Sequence, residues 1–227
     1  MANCSFFLTG TDTDIGKTYV AEQFLKSAAR RGESAAGLKV LSAGLCSVCS
    51  ALGKMTPLAD CSCDATRLQA ASSLKLTTDQ ISPYVLGTAC SPNIAADFDQ
   101  LTLSADAIAQ QLKSTVKKID CLQLILEGAG GWFTPINDAE TLADVAALLK
   151  LPVVLVVGVK LGCLNQAILS ELAILSMGCQ LLGWVASEPE PAQFFEEQVQ
   201  TLQSHLSAPC LGVVRHDQST DLLWPTA

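Results

Sequence analysis

The segment GTDTDIGKT (10–18) places two glycines, a lysine and a hydroxyl between an apolar run and a helical pattern. Backbone N–H groups of such a turn, together with the positive end of the following helix dipole, converge on an anion. Lys17 adds a point charge for β and γ phosphates, and the Thr18 hydroxyl suits a Mg²⁺ ion carried by a nucleotide. The spacing, G-x5-G-K-T, is one residue longer than the usual phosphate loop, with Thr11 at the usual glycine position. A glycine turn with a snorkelling lysine is the plain alternative, and the flanking strand and helix weigh against it.

A nucleotide-bound Mg²⁺ takes one or two carboxylates beside phosphate and water oxygens. Glu127 ends the apolar run CLQLILE (121–127) just before GAGG, at the carboxyl edge where open α/β sheets bind ligands. Asp64 opens a helical stretch, where an ordinary helix cap is the competing reading. Lys39 ends another strand and reads equally well as a solvated strand terminus. His205 and His216 belong to no catalytic constellation. Cys46, Cys49, Cys61 and Cys63 cluster, but the Cys61-x-Cys63 pair is tighter than usual for zinc and no histidine is near, so free thiols are the better reading.

The elements needed to position these residues follow from hydrophobic periodicity. Strands are predicted at about 4–9, 34–41, 121–127, 152–159, 180–187 and 210–214, and helices at 17–31, 104–118, 141–149, 162–177 and 192–205. A short helix opens at Asp64, and 43–63 reads as a loop. In the 162–177 helix, Leu164, Ile168, Leu172 and Leu175 mark one apolar face. This alternation implies an α/β fold of the P-loop NTPase type, with a mostly parallel central sheet covered by helices on both faces. No repeat, linker or shift in composition divides the chain, so 1–227 is expected to be one domain.

A formal charge of −8 and a pI near 4.7 argue against nucleic acid or an anionic membrane as the main partner. The N-terminus has no basic n-region, and no apolar stretch is long enough to span a bilayer. The chain therefore reads as cytoplasmic, and ten cysteines there are more simply core residues and free thiols than disulfides.

Together, TGTDTDIGKT (9–18), AGLK (36–39), DATRLQ (64–69), SPNIAA (91–96), EGAGGWFTPI (127–136), VVGVKLGCLNQA (156–167) and GWVAS (183–187) resemble the dethiobiotin synthetase family, in that family's order. The resemblance implies ATP- and Mg²⁺-dependent ring closure of 7,8-diaminopelargonate with CO₂, through a carbamate and a carbamic-phosphoric anhydride. It implies that Lys17, Lys39 and Thr13 contact the carbamate or the transferring phosphoryl group, and that Thr18, Asp64 and Glu127 hold the metal. Nucleotide contacts fall on Asp14, Ile15, Gly16, Lys17, Thr18 and Tyr19, on Gly128, Ala129 and Gly130, on Ser187 and Glu188, and on Arg215, His216 and Asp217. Substrate contacts fall on Lys39, Ser42, Ala43, Gly162, Cys163, Leu164 and Asn165. The last four receive the substrate carboxylate across the interface of a homodimer.

The chain departs from the family pattern in several places. Ala43 fills a hydroxyl position and Ser42 is displaced by one. Ser187 replaces an adenine-reading asparagine, which opens the site to other nucleoside triphosphates because a hydroxyl lacks the two-sided readout of an amide. Two further readings stand beside the ligase: a related P-loop amide ligase with another substrate, and a nucleotide-binding regulatory module. Asp12 counts against the module, since partition and cell-division ATPases usually carry a lysine near the start of this loop.

Overall fold

The computed structural model describes residues 4–44 and 63–215, together with 218, 220, 222, 224 and 225. Six strands form one sheet: β1 (Cys4–Gly10), β2 (Ala35–Lys39), β5 (Gln123–Glu127), β6 (Val153–Gly158), β7 (Leu181–Ser187) and β8 (Cys210–Val214). Their order is β2-β5-β1-β6-β7-β8, and every neighbouring pair is parallel. The reversal of strand order falls at β1. That is where an open parallel sheet leaves a crevice beyond its carboxyl ends.

Register brings the chemistry to that edge. Lys39 pairs with Glu127, and Glu127 with Leu8, so the ends of β2 and β5 lie level beside β1. Gly158, Ser187 and Val214 line up across β6, β7 and β8. Within the apolar run 152–159, β6 is buried throughout, and so are β5 and the edge strand β2.

Helices cover both faces. α1 (Lys17–Arg30) buries Val20, Phe24 and Ala28, the stripe expected from its 3.6-residue period. α2 (Asp64–Ala71) follows β2 in space. α5 (Ala105–Val116) is capped by the Ser104 side chain, which accepts from the Ala107 amide, and it buries Ile108, Ala109 and Leu112. α6 (Leu142–Leu149) is started by Asp144, whose carboxylate accepts from the Thr141 amide at 2.7 Å. α7 (Cys163–Ser176) and α8 (Phe195–His205) complete the layer.

Three expectations need correction. The stretch between Asp64 and Ala105 also contains α3 (Thr78–Ile81), α4 (Pro92–Phe98) and β4 (Val85–Leu86), which pairs in parallel with β3 (Ser42–Ala43) at the start of the expected 43–63 loop. Elements of two to seven residues are too short to show a period. The core-facing side of α7 is Cys163, Ala167, Glu171 and Ile174, whereas Leu172 and Leu175 of the predicted stripe are exposed. This helix is apolar on two sides, so its period alone does not say which one faces the sheet. Glu171 is tolerated inside because its carboxylate accepts from the Ser207 and Ala208 amides.

The chain's last described residues return to α1. The Thr220 amide donates to Gln23 and the Leu222 amide to Ser27, and Trp224 packs on Phe6 and Phe24. Of the cysteine cluster, Cys46, Cys49 and Cys61 lie outside the described residues, and Cys63 is a free thiol.

Candidate active site

The phosphate loop turns through two left-handed residues, Asp14 and Gly16. Gly16 is required twice over: its φ is +83°, and a Cβ there would stand 2.8 Å from the Ser187 Oγ. Gly10 is needed for close approach, because its Cβ would meet Ile15 and Lys17 side-chain carbons at 2.7 and 2.9 Å. The helix that follows has no side-chain cap, so its first N–H groups are left for a ligand. Ile15 turns inward and is buried under Gly10 and Gly158, which makes it the loop's apolar anchor.

Four polar side chains from four elements meet behind the loop. The Thr18 hydroxyl donates to Glu127 Oε1 at 2.6 Å, and Lys39 Nζ donates to the same oxygen at 2.6 Å. Lys39 also reaches Asp64 Oδ2 at 2.7 Å. Glu127 is fully buried and Lys39 nearly so, while the Asp64 side chain is 47% exposed. Burial alone would push the Lys39 ammonium down, but the carboxylates of Glu127 and Asp64 outweigh it and hold its pKa above the ordinary lysine value. Asp64 shows the reverse balance: burial raises its carboxyl, and Lys39 more than offsets that and lowers it.

Lys17 is different. Its Nζ donates to the Asp12 carbonyl at 2.6 Å, and its pKa falls to about 8, first through burial and then through the nearby Lys39 charge. A cation held in this way lacks its counterion, and an entering anion supplies it. Asp12 is in turn held by Lys160 at 2.7 Å and by the Thr13 amide, and both contacts lower its carboxyl pKa.

Glu127 Oε2 is buried and has no hydrogen-bond partner among the described residues. A charged oxygen left unpaired inside a protein is costly unless something satisfies it. With the Thr18 hydroxyl and the Asp64 carboxylate beside it, the donor set is hard oxygen, which fits a small divalent cation completed by ligand oxygens. No trio of His, Cys, Asp and Glu side chains among the described residues offers an all-protein cage.

These groups line a cavity of about 1000 Å³. It gathers most of the residues predicted from sequence: Thr13, Asp14, Gly16, Lys17, Thr18 and Tyr19, then Lys39, Ala43, Asp64, Glu127, Ala129 and Gly130, and finally Ser187 and Glu188. Several others are placed elsewhere. The Ser42 hydroxyl bonds to Ser82 at 2.8 Å, because Lys39, Leu41 and Ala43 share the cavity side of the chain and Ser42 faces the other way. The Gly128 amide is already bonded to the Leu8 carbonyl. Arg215 stacks on Phe195 at 4.5 Å and pairs with Glu188 and Glu196, so it borders the cavity through Glu188. His216 and Asp217 lie outside the described residues. Gly162, Cys163, Leu164 and Asn165 form the start of α7, away from this cavity.

Sequence reading missed Leu41, Arg67, the turn 89–92, Thr134, Pro135 and Pro189, all of which line the cavity. A signal existed for some of them. Thr134 and Pro135 sit within EGAGGWFTPI, and Ser91 opens SPNIAA. Thr13, Thr134 and Pro135 also border a second cavity of about 680 Å³, lined further by Trp132, Phe133, Leu169 and Ala173.

The chain is similar in sequence and in fold to known proteins. A family model described as an AAA domain matches residues 5–222. The ATP-dependent dethiobiotin synthetase BioD of Cellvibrio japonicus (strain Ueda107) is 44% identical over 215 residues, covering 94% of this chain and 90% of the relative. The protein of the same name from Pseudomonas aeruginosa (strain UCBPP-PA14) is 42% identical, covering 95% and 92%. Among solved structures, a ParA family ATPase from Chlorobium tepidum TLS superposes with a TM-score of 0.51 at 11% identity, covering 96% of this chain and 86% of that one. The septum site-determining protein MinD from Pyrococcus horikoshii OT3, complexed with Mg-ADP, gives 0.51 at 12% identity, covering 94% and 82%. At such identities the likeness speaks for the fold alone, a parallel α/β sheet of the P-loop NTPase type.

Proposed function

This chain belongs to the ATP-dependent dethiobiotin synthetase family, and from that membership we propose that it closes the ureido ring of dethiobiotin from 7,8-diaminopelargonate, CO₂ and ATP. One observation carries the assignment to this site: Thr18, Lys39 and Asp64 gather around the buried Glu127 carboxylate, directly behind an uncapped helix start.

The chemistry asks for position and charge rather than a protein nucleophile. One substrate amine adds to CO₂ and loses a proton, which gives a carbamate. A carbamate oxygen takes the γ-phosphoryl group, releasing ADP. The second amine then attacks the carbonyl carbon, expelling phosphate and a proton as the ring closes. Lys39, held protonated by two carboxylates, serves as a fixed positive charge for the carbamate or the moving phosphoryl group, not as a base. Lys17 leaves the Asp12 carbonyl to meet the phosphates. The Thr13 hydroxyl stands at the border of both cavities, where the two substrates meet. Thr18, Asp64 and Glu127 would hold Mg²⁺, which when bound neutralises charge on the phosphate oxygens.

The base end of the cavity offers Ser187, Glu188 and Pro189 and no side-chain amide among its described lining residues. This supports acceptance of nucleoside triphosphates other than ATP. At the diamine end, Ala43 leaves the substrate one hydroxyl short, with the 89–92 turn opposite it.

The active site is read as shared between two copies. Leu161, Leu169, Leu172, Leu175 and Phe133 are exposed on and beside α7, and Leu169 and Phe133 border the second cavity. A contiguous apolar face of this kind is a protein-contact surface. The α7 start has no side-chain cap, so in a homodimer its free amides can receive the substrate carboxylate from the other subunit. Residues 1–227 are read as one domain, since a single apolar cluster runs from Phe6 to Trp224. Its cytoplasmic location is part of the same proposal, because ATP and bicarbonate are available there. No nucleic acid or membrane partner belongs to it.

The test mixes purified protein with 7,8-diaminopelargonate, bicarbonate, Mg²⁺ and ATP and follows nucleoside diphosphate and dethiobiotin by mass. Product formed one-to-one with diphosphate is expected. Hydrolysis that ignores the diamine overturns the ligase. Replacing ATP by CTP or GTP is expected to retain turnover, and strict ATP dependence would refute the relaxed base selectivity.

A further inference from the structure

Arg67 lies on α2, one turn beyond Asp64, and lines the nucleotide cavity. Its Nε donates to Glu22 Oε1 at 2.6 Å. Glu22 belongs to α1, one turn beyond Thr18, and is itself 8% exposed. The anchor engages one nitrogen of the guanidinium. Its two terminal NH₂ groups have no hydrogen-bond or ion-pair partner among the described residues.

The other cations of the cavity are committed. Lys17 is bonded to the Asp12 carbonyl, and Lys39 lies between Glu127 and Asp64. Arg67 is thus the described cation of this cavity that keeps whole donor groups unused. A buried carboxylate fixes its stem, and a planar fork of free N–H bonds matches the geometry of phosphate oxygens. Lys39, Asp64 and Glu127 already crowd the end where the phosphoryl group is transferred. Arg67 is set back from there by one turn of two helices, roughly 5.4 Å, on the seam between α1 and α2, in a cavity that Tyr19 also lines.

We propose that Arg67 is a phosphate-binding residue, anchored by Glu22, whose free fork takes the α and β phosphates of the bound nucleotide. This rests on the reading that the cavity holds a nucleoside triphosphate. The competing account is a partly exposed ion pair that only ties α2 to α1, with an Arg67 side chain 38% exposed.

Equilibrium titration with ADP and with a non-hydrolysable ATP analogue, in the absence of diamine, separates the two. Arg67→Gln is expected to weaken both ligands about tenfold, the scale of one charge-assisted hydrogen-bonded contact. Arg67→Lys should recover only part of the affinity, because a point charge replaces the fork. Glu22→Gln should weaken binding by a smaller factor, since the charge stays while its anchor loosens. In turnover the loss should fall on the nucleotide KM, with the diamine KM unchanged. Affinity within twofold of the parent in Arg67→Gln, whatever its melting temperature, overturns the proposal, as does a loss confined to the diamine KM. A parent protein that binds neither nucleotide overturns the triphosphate reading and Arg67's role with it. A parent that binds nucleotide but makes no dethiobiotin overturns the ligase and leaves the Arg67 comparison intact.

Discussion

α1 and α7 have the same length and begin alike. Each has fourteen residues, each starts after a left-handed glycine (Gly16 at φ +83°, Gly162 at φ +96°), and neither start has a side-chain cap. Their surroundings differ. Gly16 is packed against Ser187, and Lys17 and Thr18 beyond it are buried beside Glu127 and Lys39. A Cβ at Gly162 would meet nothing within 4 Å, and Leu161 before it is 99% exposed. Similar left-handed starts therefore leave one set of helix amides enclosed within the chain and the other open to the surface. The enclosure decides, because an amide dipole gains most where water is excluded.

The contrast can be broken at either helix. The largest effect is expected at the enclosed start, where Lys17→Ala should abolish measurable nucleotide binding and lower turnover about 10³-fold. Isothermal titration and the product assay check it. A variant that still binds nucleotide would mean that the α1 amides suffice alone, as the α7 amides would have to.

Next comes the network behind α1. Lys39→Ala should lower kcat about 10²-fold while leaving nucleotide affinity nearly unchanged. It also strands the buried Glu127 charge, so a lower melting temperature is expected. Unchanged rates would remove Lys39 from the site.

At the open start, Leu172→Glu should convert a dimer to a monomer by light scattering and raise the diamine KM about tenfold. It should leave nucleotide affinity alone. Unchanged mass and KM would show that the outer face of α7 is no interface, and the second anion site would lose its support.

The smallest effect is in pH. The Lys17 pKa is lowered to about 8, so folding favours its neutral form and an anion favours the charged one. In chelated, metal-free solution, triphosphate affinity should be level below about pH 8 and weaken as pH rises through it. The same group burdens the ligand-free fold below pH 8 and is relieved above it. Affinity that stays flat to pH 9.5 would place the Lys17 pKa well above that value.

Much of this was legible in advance. Gly10, Gly16, Lys17 and Thr18 declare a phosphate loop through residue type and local order, and Glu127 and Lys39 announce themselves as charges at the ends of apolar runs. Ser42 and Ala43 are both expected at the substrate, and only the structure sets Ala43 at the cavity and turns Ser42 to Ser82. Arg67 stands inside DATRLQ (64–69), yet an arginine on a helix is ordinarily a solvated side chain, and nothing local singles it out. Its significance comes from Glu22, forty-five positions earlier, across a helix seam.

The amino-acid sequence by itself determined the alternation of strands and helices, the phosphate-binding turn and the set of charges available to it. These follow from hydrophobic period and from glycine's backbone freedom, both properties of adjacent residues. Only the tertiary structure decided that Thr18 and Lys39 share one oxygen of Glu127, that Glu127 Oε2 stays unpaired, and which side of α7 faces outward. Those depend on strand register and on which of two apolar faces finds the sheet, and no local pattern encodes a distance between residues so far apart in the chain.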